Sequence, residues 1–234
     1  MKTPLKTELV FILDRSGSMA GLESDTIGGY NAMMDKQREA GGDITVTTVL
    51  FDDHCELLHD RIKMGDLRRM DGEEYFVRGS TALIDAIGKT IKKIENARAH
   101  MQAESRADKV IFVITTDGYE NASRQYRAED VRAMVEQKKD AEGWEFIFLG
   151  ANIDAVETAR SFGFEASRSH NYMHDGQGVG MAYDATADAI SLMQCSDFVP
   201  PEALGAVFFR LDADYESRSG GDAGGGEDED AFPL

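Results

Sequence analysis

The stretch ELVFILDRSGS, residues 8–18, passes in one step from a continuous apolar run to a polar loop. An unbroken β-branched and aromatic run of this kind marks a strand buried on both faces, as in a parallel sheet covered by helices. Two further runs share its character, KVIFVI at residues 109–114 and WEFIFLG at residues 144–150, and each leads into a polar or glycine turn. ITVTTVLF at residues 44–51 alternates more clearly. Asp52-Asp53 then turns the chain into His54–His59, which predicts a hairpin with one antiparallel edge strand.

Between these strands the apolar residues recur at helical spacing. Ile27, Tyr30, Met33, Met34 and Gln37 make one stripe, ended by Gly41-Gly42. Leu83, Ile84, Ile87, Ile91 and Ile94 make the strongest, with Ser80 as the expected N-cap. Val131, Met134 and Val135 mark a third helix, and Val156, Ala159 and Phe162 a fourth. Val179, Ala182, Thr186, Ile190 and Met193 mark a fifth, which stops near Pro200-Pro201. Strands alternating with helices predict an α/β fold: a doubly wound, Rossmann-like, mostly parallel sheet with one antiparallel edge strand and helices on both faces.

Composition sets the limits of that domain. Residues 1–211 are expected to fold as one unit, and residues 212–234 to form an acidic, glycine-rich disordered tail. That tail carries eight acidic groups against the single Arg218, so it supplies much of the formal charge of −18. Such a charge disfavours nucleic acid and anionic lipid as partners, since both require clustered Lys and Arg. The run Leu9–Leu13 before Asp14 is shorter than the roughly 7–15 apolar residues of a signal-peptide core. It is shorter still than the ~18 needed to span a membrane. The expectation is a cytoplasmic protein with no membrane segment and with Cys55 and Cys195 as two buried thiols.

The polar loop carries the chemistry. Asp14-Arg15-Ser16-Gly17-Ser18 leaves the first strand with a carboxylate and two hydroxyls at alternate positions. Ligands of open α/β sheets sit outside the carboxyl ends of the strands, where strand order reverses. Gly79-Ser80-Thr81 brings another hydroxyl to the start of the strongest helix, and Thr115-Thr116-Asp117-Gly118 follows the most apolar strand. Asp14, Ser16, Ser18, Thr81 and Asp117 thus predict a site of five oxygen donors. Hard oxygen ligands suit Mg²⁺, with Mn²⁺ as a second fit, whereas zinc prefers nitrogen or sulfur. Hydroxyls leave the ion short of neutralising charge, with a position open to an acidic group from outside.

These residues and their contexts, FILDRSGSM, GSTALIDAIG and VITTDGYENAS, resemble the von Willebrand factor A family, in particular its stand-alone bacterial members. The metal-ion-dependent adhesion site of that family is Asp-x-Ser-x-Ser, a distant Thr and an Asp, and all five positions are present in order. The resemblance covers about residues 5–200 and implies that Ser16, Ser18 and Thr81 hold the ion directly or nearly so, with Asp14 and Asp117 binding it directly or through water. It also implies a non-enzymatic module that binds a protein partner through an Asp or Glu, in some members as an adaptor of ATP-driven or multi-subunit assemblies.

Arg15, Tyr119, Glu120 and Asn121 flank the five donors and are expected to shape a partner-binding rim. The tail acids Glu227, Asp228, Glu229 and Asp230 could themselves supply the missing carboxylate through their glycine spacer. The competing function is a Mg²⁺-dependent phosphoryl-transfer enzyme with Asp14 as nucleophile, although such phosphatases carry a second Asp where Ser16 stands. Other patterns carry less. Gly88-Lys89-Thr90 lies within a helical stripe and lacks the earlier glycine of a phosphate loop. Gly176-x-Gly178-x-Gly180 reads as a flexible lead into the last helix, with no strand before it. His170 and His174 read as solvated loop histidines, and His54, Cys55 and His59 as edge-hairpin residues.

Overall fold

The first strand, β1 (Thr7–Asp14), is buried along its whole length because it has a parallel neighbour on each side. Side chains alternate across a strand, so Leu9, Phe11 and Leu13 enter one apolar layer and Val10 and Ile12 the other. A run that must satisfy two layers cannot alternate with polar residues, which explains the sequence ELVFIL.

The computed structural model describes residues 5–196 and 198–219. The remaining elements are α1 (Glu23–Ala40), β2 (Ile44–Phe51), β3 (Cys55–Lys63), α2 (Leu83–Ala99), β4 (Lys109–Thr116), α3 (Ala128–Glu142), β5 (Glu145–Gly150), α4 (Ala155–Ser161), β6 (Ser169–Asn171), α5 (Gly176–Cys195) and α6 (Pro201–Ser219). The strands form one sheet in the order β3-β2-β1-β4-β5-β6, with only the β2–β3 pair antiparallel. α1, α5 and α6 cover one face, burying Tyr30, Met33, Ile190 and Phe208 with Phe11 and Leu13. On the other face α2, α3 and α4 bury Ile87, Ile91, Val131 and Ala159 with Ile12 and Phe112. This is the doubly wound sheet with one antiparallel edge that the strand and helix patterns predict. Strand order reverses between β1 and β4, so the loops after these two strands open a crevice at the sheet's carboxyl edge.

Four expectations about the fold itself differ from the structure. The folded chain does not end at Leu211: α6 continues through Asp212 to Ser219. Two of its acids are matched there, Asp212 on His170 and Asp214 on Gln177 and Arg218, and Arg218 is also on Asp175. Leu204, Phe208 and Leu211 anchor the helix in the core. The tail acids from Glu227 onward lie outside the described residues. The helix start assigned to Ser80 falls instead at Leu83, with Ala82 at the N-cap position. The open amides of that helix are taken by side chains from the loop after β4: Glu120 accepts from Ile84 N–H, and Ser123 from Asp85 N–H.

Gly176–Gly180 is the first turn of α5 itself, capped by the Asp175 carboxylate on Gly178 N–H, and the short strand β6 leads towards it. A side chain at Gly178 would run into the Met173 carbonyl, so the glycine serves a close approach and not flexibility. Finally, Cys55 is half-buried and Cys195 is exposed, both as free thiols. No helix among the described residues is long and apolar enough to cross a membrane.

Candidate metal centre

Three loops meet at the carboxyl edge of β1 and β4, and backbone hydrogen bonds join them. Gly17 N–H donates to the Gly79 carbonyl at 3.1 Å, and Arg78 N–H to the Arg15 carbonyl at 2.8 Å. The Thr81 carbonyl accepts from Asn121 and Ala122 N–H at 3.0 and 3.2 Å, while Thr81 N–H donates to Asn121 Oδ1 at 2.9 Å. Asp14 closes β1 with both oxygens engaged, taking Ser16 N–H on Oδ1 at 2.7 Å and the Thr116 hydroxyl on Oδ2 at 2.6 Å. The Tyr75 hydroxyl reaches the Asp14 carbonyl at 2.5 Å.

The expected donors converge on this frame. The Thr81 hydroxyl donates to Ser16 Oγ at 3.0 Å, Ser16 and Ser18 Oγ lie 3.0 Å apart, and the Ser18 hydroxyl donates to Asp117 Oδ1 at 2.6 Å. Ser18 is exposed, whereas Ser16, Thr81 and Asp117 are buried, so the chain of hydroxyls opens to solvent at one end. Asp14 sits beneath, linked through the Ser16 amide. Gly118 keeps the space clear: a Cβ there would stand 3.0 Å from Ser18 Oγ and 3.1 Å from Thr81 Oγ1.

Burial pushes the Asp14 carboxyl up to about 6, with repulsion from Asp117 adding to it and the bonds from Thr116 and Ser16 opposing it. Asp117 is also raised by burial, against the bonds from Ser18 and His174. Two carboxylates held away from water beside three hydroxyls form a donor set that suits a hard divalent cation.

No family model matches the chain, and no curated protein matches it either. Solved structures do. Proximal thread matrix protein 1 from the mussel byssus, in a structure with a zinc-occupied MIDAS motif, superposes with a TM-score of 0.58 at 15% identity, over 80% of this chain and 46% of that one. The vWF domain of a type V pili tip protein from Porphyromonas gingivalis superposes with a TM-score of 0.57 at 12% identity, over 85% of this chain and 99% of that one. This chain has the von Willebrand factor A fold. A mutant of the PilB minor pilin from Streptococcus sanguinis shares it with a TM-score of 0.52 at 11% identity, over 82% of this chain and 62% of that one. The chain therefore spans less than two thirds of the pilin and about half of the mussel protein, and nearly all of the isolated vWF domain.

The residues expected on the rim of this site have different fates. Tyr119 is 65% exposed beside Gly118. Asn121 is exposed, but its carboxamide holds the Thr81 loop. Glu120 is half-buried and takes Ala122 and Ser123 N–H on Oε1, with Ile84 N–H and the Ser123 hydroxyl on Oε2. Arg15 is 0% exposed and so is no part of a contact surface. It faces away from solvent because Asp52 at 3.0 Å and Glu56 at 2.6 Å, both from the β2–β3 hairpin, draw it inward. Asp52, Asp53 and His54 present three metal-capable groups at that hairpin, but Asp52 also holds Arg78 at 2.7 Å, which makes it the centre of a salt-bridge cluster.

His170 and His174 are not free loop histidines, although His174 stays partly exposed. His170 is buried and stacks on Phe208 with ring centroids 3.9 Å apart. His174 belongs to the site: its Nε2 lies 2.7 Å from Asp117 Oδ2 and 3.1 Å from the Ser18 carbonyl. No local signal marks that histidine in the sequence, because the turn that delivers it is set by β6 and α5.

Proposed function

We propose that the chain is a metal-dependent protein-binding module that recognises an acidic side chain of a partner through the Asp14–Ser16–Ser18–Thr81–Asp117 site. The observation that carries this reading is the joining of Ser16, Ser18, Thr81 and Asp117 in one hydrogen-bonded chain above a buried Asp14. Mg²⁺ is the ion best suited to all-oxygen donors, with Mn²⁺ next. Ser16, Ser18 and Thr81 would hold it through neutral oxygens, and Asp14 and Asp117 directly or through water. When bound, the ion supplies a positively charged anchor for an incoming carboxylate. Exposed Tyr119 stands beside that anchor and would contact the partner. The partner is a protein carrying Asp or Glu, in keeping with an adaptor role in an ATP-driven or multi-subunit assembly. The tail acids Glu227–Asp230 have the same chemistry and would compete for the position.

A binding role is favoured over phosphoryl transfer by the state of Asp14. It is 1% exposed and each of its oxygens is held by a hydrogen bond from the loop frame, so a bulky substrate phosphorus has no open in-line approach to it. Calorimetric titration with Mg²⁺ tests the site: wild type should give a saturable heat that Asp14→Ala loses, and equal heats from the two would refute the assignment. Capture of a partner in Mg²⁺ but not in EDTA, by wild type but not by Asp14→Ala, would establish the binding function.

A further inference from the structure

We infer that His174 is a positioning residue of the metal centre, holding Asp117 and the Ser18 loop so that their oxygens face the hydroxyl cluster. This inference rests on the metal-site reading above. The Asp117 carboxylate is divided between two tasks: Oδ1 takes the Ser18 hydroxyl at 2.6 Å, and Oδ2 lies 2.7 Å from His174 Nε2. Nε2 is also 3.1 Å from the Ser18 carbonyl, which can only accept, so the nitrogen bears a proton and donates to both oxygens. One ring nitrogen thus pins the carboxylate from behind and the backbone of the residue whose hydroxyl the carboxylate binds.

Without that bond Asp117 would be free to turn about its side-chain torsion and present either oxygen, or neither, to Ser18. Groups that hydrogen-bond the far oxygen of a ligating carboxylate fix its orientation, and their loss typically lowers metal affinity by about 10–100-fold. His174 is well fitted to the task because its backbone is itself held. The next residue, Asp175, caps α5 through Gly178 N–H and is paired with Arg218 of α6. The imidazole is therefore delivered from an anchored turn, and the β6–α5 turn becomes a fourth wall of a site whose other walls follow β1, precede α2 and follow β4.

Three proteins test this by Mg²⁺ titration calorimetry, with metal-free thermal midpoints measured beside them: wild type, His174→Gln and His174→Phe. Gln keeps an N–H donor at similar reach; Phe keeps the ring shape without one. His174→Phe should bind Mg²⁺ about tenfold or more weakly, while His174→Gln should recover to within about threefold of wild type. The metal-free midpoints of all three should agree closely, since the turn stays anchored through Asp175. Equal affinity in Phe and wild type, or an equal loss in Gln and Phe, would overturn the positioning role. A loss in Phe that tracks a lowered metal-free midpoint would overturn it in favour of a purely structural residue. If wild type itself gave no Mg²⁺ heat, the metal-site reading would fall instead.

Discussion

Replacing Asp14 with Asn should stabilise the metal-free protein at neutral pH while weakening its response to Mg²⁺. The carboxyl is 1% exposed, and burial raises it to about 6 from its ordinary 3.8. A shift of about two units corresponds to ~3 kcal/mol by which the folded chain disfavours the ionised form. Because the folded pKa lies above the unfolded one, the penalty is absent below about pH 4, grows between pH 4 and 6, and is complete above pH 6. Asn cannot ionise, yet it can accept Ser16 N–H through its oxygen and donate to the Thr116 hydroxyl through its nitrogen, so the local bonds survive. For a domain of this size ~3 kcal/mol corresponds to a rise of about 6–12 °C in thermal midpoint.

Scanning calorimetry in EDTA at pH 7 and pH 4 reads the effect. The variant should melt higher than wild type at pH 7, and the gap should close at pH 4. Saturating Mg²⁺ should then raise the wild type far more than the variant, because ligand stabilisation follows the occupancy of the folded state. An Asp14→Asn protein that melts at or below wild type in EDTA at pH 7, or a gap equal at both pH values, would refute the claim that Asp14 is a buried charge awaiting a cation.

Gly118→Ala should weaken Mg²⁺ binding measurably with little change in metal-free midpoint, since its Cβ would press on Ser18 Oγ and Thr81 Oγ1; an unchanged binding isotherm would count against the site's geometry. Glu120→Ala should lower stability by about 1–2 kcal/mol in urea unfolding, through the lost cap of α2 and the freed amides of its own loop, and an unchanged midpoint would restore Glu120 to the rim as a contact residue. Phe208→Ala should cost about 3–5 kcal/mol by the same assay, because Phe208 is buried against the core and His170; a loss under about 1 kcal/mol would mean α6 packs only loosely.

Much of this was legible from short stretches of chain. Asp14, Ser16 and Ser18 lie on one loop, and the burial of β1 on both faces forces an apolar run whose end is easy to see. Thr81 and Asp117 could be placed because each sits beside a strong helical or strand pattern. What escaped depended on partners distant in sequence. His174 meets Asp117 across 57 positions, and nothing near either residue announces the pairing. Arg15 looks like a surface charge until Asp52 and Glu56 arrive from a hairpin to bury it. The acids at 212–216 have the composition of an unfolded tail, but Asp212 and Asp214 find His170, Gln177 and Arg218 once α6 docks.

The backbone bonds that join residues 15–17, 78–81 and 121–122 have a consequence for how an ion would be acquired. The donor loops are already fastened to one another through Gly17–Gly79, Arg78–Arg15 and Asn121–Thr81. A receptor assembled in advance gives up little chain freedom on loading, so its affinity is set by ion dehydration and donor field and not by loop ordering. Loading would accordingly show a small heat-capacity change, and its rate would follow the rate at which each ion sheds water: slow for Mg²⁺, faster for Mn²⁺. In such a receptor the choice of ion is a matter of timing as well as of affinity.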